Sequence, residues 1–117
     1  MYYFISAELS TLSERENIER TEELRDTLTI SNIPFQEVEG RYSGQPETSF
    51  MITSEYEARA IARIWDQECY LALDSRGAGT LHKPDGEYLA TLGLRRLRKE
   101  APMGDHTKIG EVYLTFI

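Results

Sequence analysis

The sequence predicts an α+β fold: a ferredoxin-like β-α-β-β-α-β antiparallel sheet with two helices on one face, followed by C-terminal strands. Three observations predict it. Two Ser-x-x-Glu capping boxes, Ser13–Glu16 and Ser54–Glu57, each open a segment with helical spacing of apolar residues. Runs rich in aromatic and β-branched residues stand before, between and after those segments. Glycine and proline punctuate the places where the chain must turn.

The first strand is read at residues 2–8, Tyr-Tyr-Phe-Ile-Ser-Ala-Glu. The first helix follows Ser13 and is expected to run to about Ile30. Ile18, Thr21, Leu24, Arg25 and Leu28 form its thin apolar stripe, and Glu14, Arg15, Glu19, Glu22, Glu23 and Asp26 its solvated face. Ser31-Asn32 ends it, and Pro34 prevents its return. Phe35 and Val38 mark a second strand and residues 48–53 a third. In the second helix Ala58, Ile61, Ala62 and Trp65 fall at i, i+3, i+4 and i+7. Residues 69–73 read as a fourth strand.

Beyond that point Arg76-Gly77-Ala78-Gly79 is a flexible turn, and residues 82–87 have hairpin-turn chemistry. Residues 88–97 fit a strand or a short helix. Residues 109–117 read as a final strand with Val112, Leu114 and Phe116 on one side. The sheet's uncovered face calls for a cover, which a partner subunit would supply.

A chain of 117 residues makes a single domain, residues 1–117, with a modest core. Its net charge of −7 argues against general binding to nucleic acid or anionic membranes, and favours solubility and, mildly, a cationic ligand. Cys69 is the only cysteine, which excludes an intrachain disulfide. No apolar run approaches the roughly 20 residues of a membrane span. No basic segment followed by an apolar run opens the chain, so the cytoplasm is the expected location.

No phosphate-binding loop or nucleophile elbow is present, and two separate histidines with one cysteine do not make a zinc site. No metal or other cofactor is expected. The cluster Arg95-Arg96-Leu97-Arg98-Lys99 reads as a solvated or intersubunit basic patch in so acidic a chain. The most informative segment is Val38 to Phe50, which bends on Gly40, Gly44 and Pro46 and then presents Glu47. A carboxylate fixed at such a bend suits a cationic ligand. On residue type alone, Tyr42 reads as a turn tyrosine covering core, Gln67 as a helix-terminal surface residue and Glu47 as a solvated acid.

The chain resembles the coliphage S-adenosylmethionine lyases, long described as hydrolases. The resemblance runs through Ile5-Ser6-Ala7, a helix with Asn17-x-x-Arg20, Val38-Glu39 and the glycine turn, and Glu47 with Ser49. It continues through Ala60-Ile61-Ala62-Arg63, Trp65-Asp66-Gln67-Glu68-Cys69 and Ala101-Pro102-Met103-Gly104. It implies a ferredoxin-like, PII-like homotrimer with intersubunit active sites and no cofactor. It also implies conversion of S-adenosylmethionine to 5′-methylthioadenosine and homoserine lactone, as a phage defence against restriction, in the host cytoplasm. Glu47 and Tyr42 are then the catalytic candidates, and Gln67, Ser49 and Phe50 the substrate-binding ones. Two other readings compete: a PII-like trimer that binds an adenine nucleotide without turnover, and an acidic inhibitor of a defence protein.

Overall fold

The computed structural model describes residues 1–116. Its elements are β1 (Tyr2–Ile5), α1 (Glu14–Ile30), β2 (Gln36–Tyr42), β3 (Gln45–Ile52), α2 (Glu55–Ile64), β4 (Tyr70–Leu73), β5 (Ala78–His82), β6 (Tyr88–Arg98), β7 (His106–Ile109) and β8 (Val112–Phe116). The strands close an antiparallel barrel in the order β1-β3-β2-β7-β8-β6-β5-β4, with β4 returning to β1. Neither described helix is long and apolar enough to cross a membrane.

This corrects the ferredoxin-like expectation. The first six elements follow the order β-α-β-β-α-β, but their strands form one arc of a barrel and not an open sheet. The rest of the arc comes from the C-terminal third. β6 makes closure possible by changing partners midway: residues 88–94 pair with β5 and residues 95–98 with β8. The pairing to β5 is irregular around Gly79 and Leu81. At Gly79 a side chain would collide with the Phe116 ring inside the barrel, so only glycine permits that approach. The expected last strand divides at Gly110, where φ is +58°, into β7 and β8; its final residue, Ile117, lies outside the described residues. The chain's own strands now fill the face that the PII-like arrangement would cover with a partner subunit.

Barrel closure explains why β1 and β4 read as nearly unbroken apolar runs: both of their faces are buried. Alternate residues serve two cores. Tyr3, Ile5, Phe50, Ile52, Tyr70 and Ala72 face the helices and pack against Leu24, Leu28, Ala58, Ile61 and Trp65. Phe4, Val38, Leu71, Leu73 and Leu114 face inward, with Met51, Leu81, Leu92, Ile109 and Phe116 around them.

The helices start and stop on local chemistry. Ser13 Oγ accepts the Glu16 N–H at 3.2 Å, and the Glu16 carboxylate accepts the Ser13 N–H at 3.3 Å. Ser54 Oγ accepts the Glu57 N–H at 3.2 Å. Both helices end in Schellman motifs whose left-handed residues are Asn32 (φ 57°) and Asp66 (φ 54°). The closing bonds run from Ile33 N–H to Leu28 O at 2.9 Å and from Gln67 N–H to Ala62 O at 2.8 Å.

Phe50 is fully buried between sheet and helices, edge-on to Phe35 at 5.5 Å. Phe50→Ala should cost about 3–5 kcal/mol of stability. Ile30→Ala, at a side chain 80% exposed, should stay within about 0.5 kcal/mol of wild type. Urea unfolding of the two variants checks both values.

Candidate active site

The site is built at one end of the barrel by the β2–β3 hairpin. Its two-residue turn, Ser43-Gly44, has positive φ at both positions (51° and 78°), which matches the twist of paired strands. The ladder sets Gly40 opposite Glu47 and Val38 opposite Ser49. Val38 belongs to the inner core, so Glu47 and Ser49 share its inward face. Gly40 supplies space: a side chain there would meet the Tyr42 ring at 2.5 Å and the His106 carbonyl at 2.9 Å. With hydrogen at that position, Tyr42 folds back and its hydroxyl bonds to that of Thr107 on β7.

The segment after β1 closes the site from another side. Asn17 on α1 clips Leu9, accepting its N–H and donating to its carbonyl, each at 2.9 Å. Arg20 donates to the carbonyls of Ala7 and Trp65, both at 2.6 Å. Gln67 follows the α2 cap, and its amide NH2 donates to Glu8 O at 3.0 Å and Trp65 O at 3.2 Å. Those bonds fix the orientation of the amide and leave its carbonyl oxygen as the group it can offer a ligand. The Asn17-x-x-Arg20 pair thus acts from a distance, holding the backbone that carries Glu8 and Gln67.

These elements line a half-open cavity of about 240 Å³. Phe4, Leu71 and Leu81 give it apolar walls, while Ser6, Tyr42, Glu47, Ser49 and Gln67 bring polar groups to it. Tyr42 and Glu47 also border a broad open cleft outside, so they stand between chamber and solvent. Burial pushes the Glu47 carboxyl above its ordinary value, and the charge of Glu8 adds to the rise. The Ser49 hydroxyl, donating to Glu47 at 3.3 Å, opposes it. Burial likewise raises the Tyr42 phenol; the bond to Thr107 opposes this, and the charges of Glu47 and Asp105 reinforce it. The Cys69 thiol, at the same cavity, is raised by burial and then by Glu68 and Glu47. Neither Glu47 nor Glu8 forms an ion pair among the described residues.

Four of the five residues singled out from sequence, Tyr42, Glu47, Ser49 and Gln67, meet at this cavity. Phe50 does not: the pleat turns it to the opposite face of β3, into the helix-side core. Sequence reasoning passed over Glu8 and Thr107. Glu8 ends the expected first strand and carries no motif, and Thr107 reaches the site only through barrel closure. The histidines serve the scaffold. His82 donates from Nδ1 to Gly86 O at 3.2 Å, accepts from Thr80 at Nε2 and stacks on Tyr70. Among the described residues no three His, Cys, Asp or Glu side chains converge as a metal site.

A family model described as the S-Adenosylmethionine lyase family matches residues 3–115, nearly the whole of the 117-residue chain. The match spans the hairpin with Glu47, the Asn17–Arg20 tether and the α2 cap with Gln67. No curated protein matches the chain. The chain therefore belongs to the S-adenosylmethionine lyase family, and its enzymatic activity is that of an S-adenosylmethionine lyase.

Proposed function

We propose that the enzyme converts S-adenosylmethionine to 5′-methylthioadenosine and L-homoserine lactone by attack of the substrate's own carboxylate. The observation that carries this reading is the cavity: apolar walls with one half-buried carboxylate, Glu47, at the polar side. In the reaction a carboxylate oxygen bonds to Cγ while the Cγ–S bond breaks and its electron pair passes to sulfur. No water is consumed and no proton moves. A negative carboxylate and a positive sulfonium neutralise each other on the way to the transition state, so an apolar chamber favours the step over water. Folding the substrate so that its carboxylate meets Cγ can supply about 7–11 kcal/mol in favourable cases.

That chemistry also assigns the ends of the substrate. The sulfonium loses its charge in the transition state, so a carboxylate against sulfur would stabilise the reactant and slow the step. The ammonium keeps its charge throughout. Glu47 therefore holds the ammonium by a charge-assisted hydrogen bond, with Ser49 orienting its carboxylate. Tyr42, kept protonated, donates a hydrogen bond at the entrance, and the Gln67 side-chain oxygen accepts one from a polar substrate group. Adenine lies against apolar wall and backbone, and Phe50 supports β3 from behind.

The same reading includes a homotrimer with intersubunit sites acting in the host cytoplasm. Its support is the family resemblance, together with Leu94 and Leu97, each more than half exposed on β6. Removal of S-adenosylmethionine starves methyltransferases and the restriction enzymes that require it, which in an infected cell is phage counter-defence.

Glu47→Gln should lower kcat/KM for S-adenosylmethionine by roughly 10- to 150-fold, from about 1.5–3 kcal/mol for a hydrogen bond to a charged group. Full turnover by a folded variant would overturn the assignment. Stability should move the other way. Because the Glu47 carboxyl is raised in the folded state, its ionisation destabilises the fold as pH rises from the ordinary carboxylate value to the raised one, and that loss persists above. Glu47→Gln should therefore melt higher than wild type at neutral pH, with the difference vanishing below about pH 4; thermal melts across pH test this.

A further inference from the structure

Glu8 has more hydrogen bonds around it than a solvated surface acid needs. Its carboxylate accepts the Thr48 N–H at 2.5 Å, beside Glu47. Its own N–H donates to Ser6 Oγ at 3.1 Å, and Ser6 Oγ donates in turn to Thr48 O at 3.1 Å. Its carbonyl accepts from Gln67. Glu8 and Glu47 border the same open cleft, half-buried, and neither forms an ion pair among the described residues. The cations along that cleft are engaged elsewhere. Arg41 donates to Gly44 O at 3.0 Å, Arg25 pairs with Glu37, and Lys108 lies 5.8 Å from the Tyr113 ring centre. Two neighbouring carboxylates, partly withdrawn from water and without a countercharge, are held together against their repulsion. A cation from outside relieves that repulsion.

We propose that Glu8 is a second substrate-anchoring carboxylate, which shares with Glu47 the cationic amino-acid end of the sulfonium substrate and positions Glu47 through Thr48. The inference rests on the lyase reading above. It gives the site a preference for a ligand with an ammonium group over a neutral thioether, and so lets 5′-methylthioadenosine leave without competing for the carboxylates. Glu8 also bears on the proton affinity of Glu47. The groups facing Glu47 are Glu8 from the segment after β1, Tyr42 from β2, Ser49 from β3 itself and Cys69 before β4, with Asp105 acting on Tyr42. Of these, Glu8 is the one whose charge raises Glu47.

The test is Glu8→Gln beside the wild-type chain. The new amide oxygen can still accept the Thr48 N–H, so charge is removed with little loss of hydrogen bonding. The KM for S-adenosylmethionine should rise about tenfold or more, as expected for losing an interaction with a charged group, with kcat nearly unchanged. Inhibition by 5′-methylthioadenosine should be unaltered. Without the neighbouring charge Glu47 ionises more readily, so the acid limb of kcat/KM should move to lower pH. An unchanged KM and acid limb in an active variant would overturn the proposal, as would a fall in kcat alone accompanied by a lower melting temperature. Calorimetric binding of S-adenosylmethionine should weaken by the same factor, and equal binding by the two proteins would also overturn it. Wild-type protein without turnover would instead remove the lyase reading, and the binding comparison would still decide the role of Glu8.

Discussion

The two-residue period of β3 inside a closed barrel is the constraint on which the rest depends. One strand serves two interiors: Phe50 and Ile52 pack beneath the helices, while Glu47, Ser49 and Met51 turn toward the barrel. A slip of one residue would move Phe50 into the cavity and Glu47 out of it. Burial of Phe50 therefore pins the register that aims Glu47. The helix-side core and the chemistry are coupled through a backbone neither can leave, and a site buried in this way forces a carboxylate into surroundings that disfavour its charge.

The second support is a chain of backbone carbonyls. Trp65 O accepts from both Arg20 and Gln67, Ala7 O from Arg20, and Glu8 O from Gln67. Carbonyls past strand and helix ends lack ladder partners, and these side chains satisfy them. The result ties α1, the end of β1 and the end of α2 to one another around the cavity mouth. Arg20 touches no cavity wall, yet it holds the two segments that do. This accounts for the place of Asn17-x-x-Arg20 in the family resemblance without giving either residue a part in the reaction.

Local order was legible in the sequence where local chemistry is strong. Ser13 and Ser54 cap the helices, Ala58, Ile61, Ala62 and Trp65 give the second helix its buried face, and residues 82–87 make a turn. Topology was not legible, because nothing in the patterning of residues 2–73 says whether the inner face is covered by a partner or by later strands. β6 hides its role: its basic end, Arg95 to Arg98, reads as a solvated patch, and its irregular pairing blurs the alternation that marks a strand. The site was partly legible through the family resemblance. Its bend and carboxylate stand out, whereas the side on which Phe50 falls depends on a parity that only the paired ladder fixes. Glu8 needs the folded chain to come beside Thr48.

The central claim is that the cavity folds S-adenosylmethionine on itself and lets its own carboxylate displace sulfur. The most direct test is turnover in ¹⁸O-labelled water, followed at early times by mass spectrometry. The account predicts 5′-methylthioadenosine with unlabelled homoserine lactone first. Later acyl cleavage of that lactone would place the label in the carboxyl group of homoserine. Homoserine appearing first, with the label in its hydroxyl, would contradict the account and make water the nucleophile.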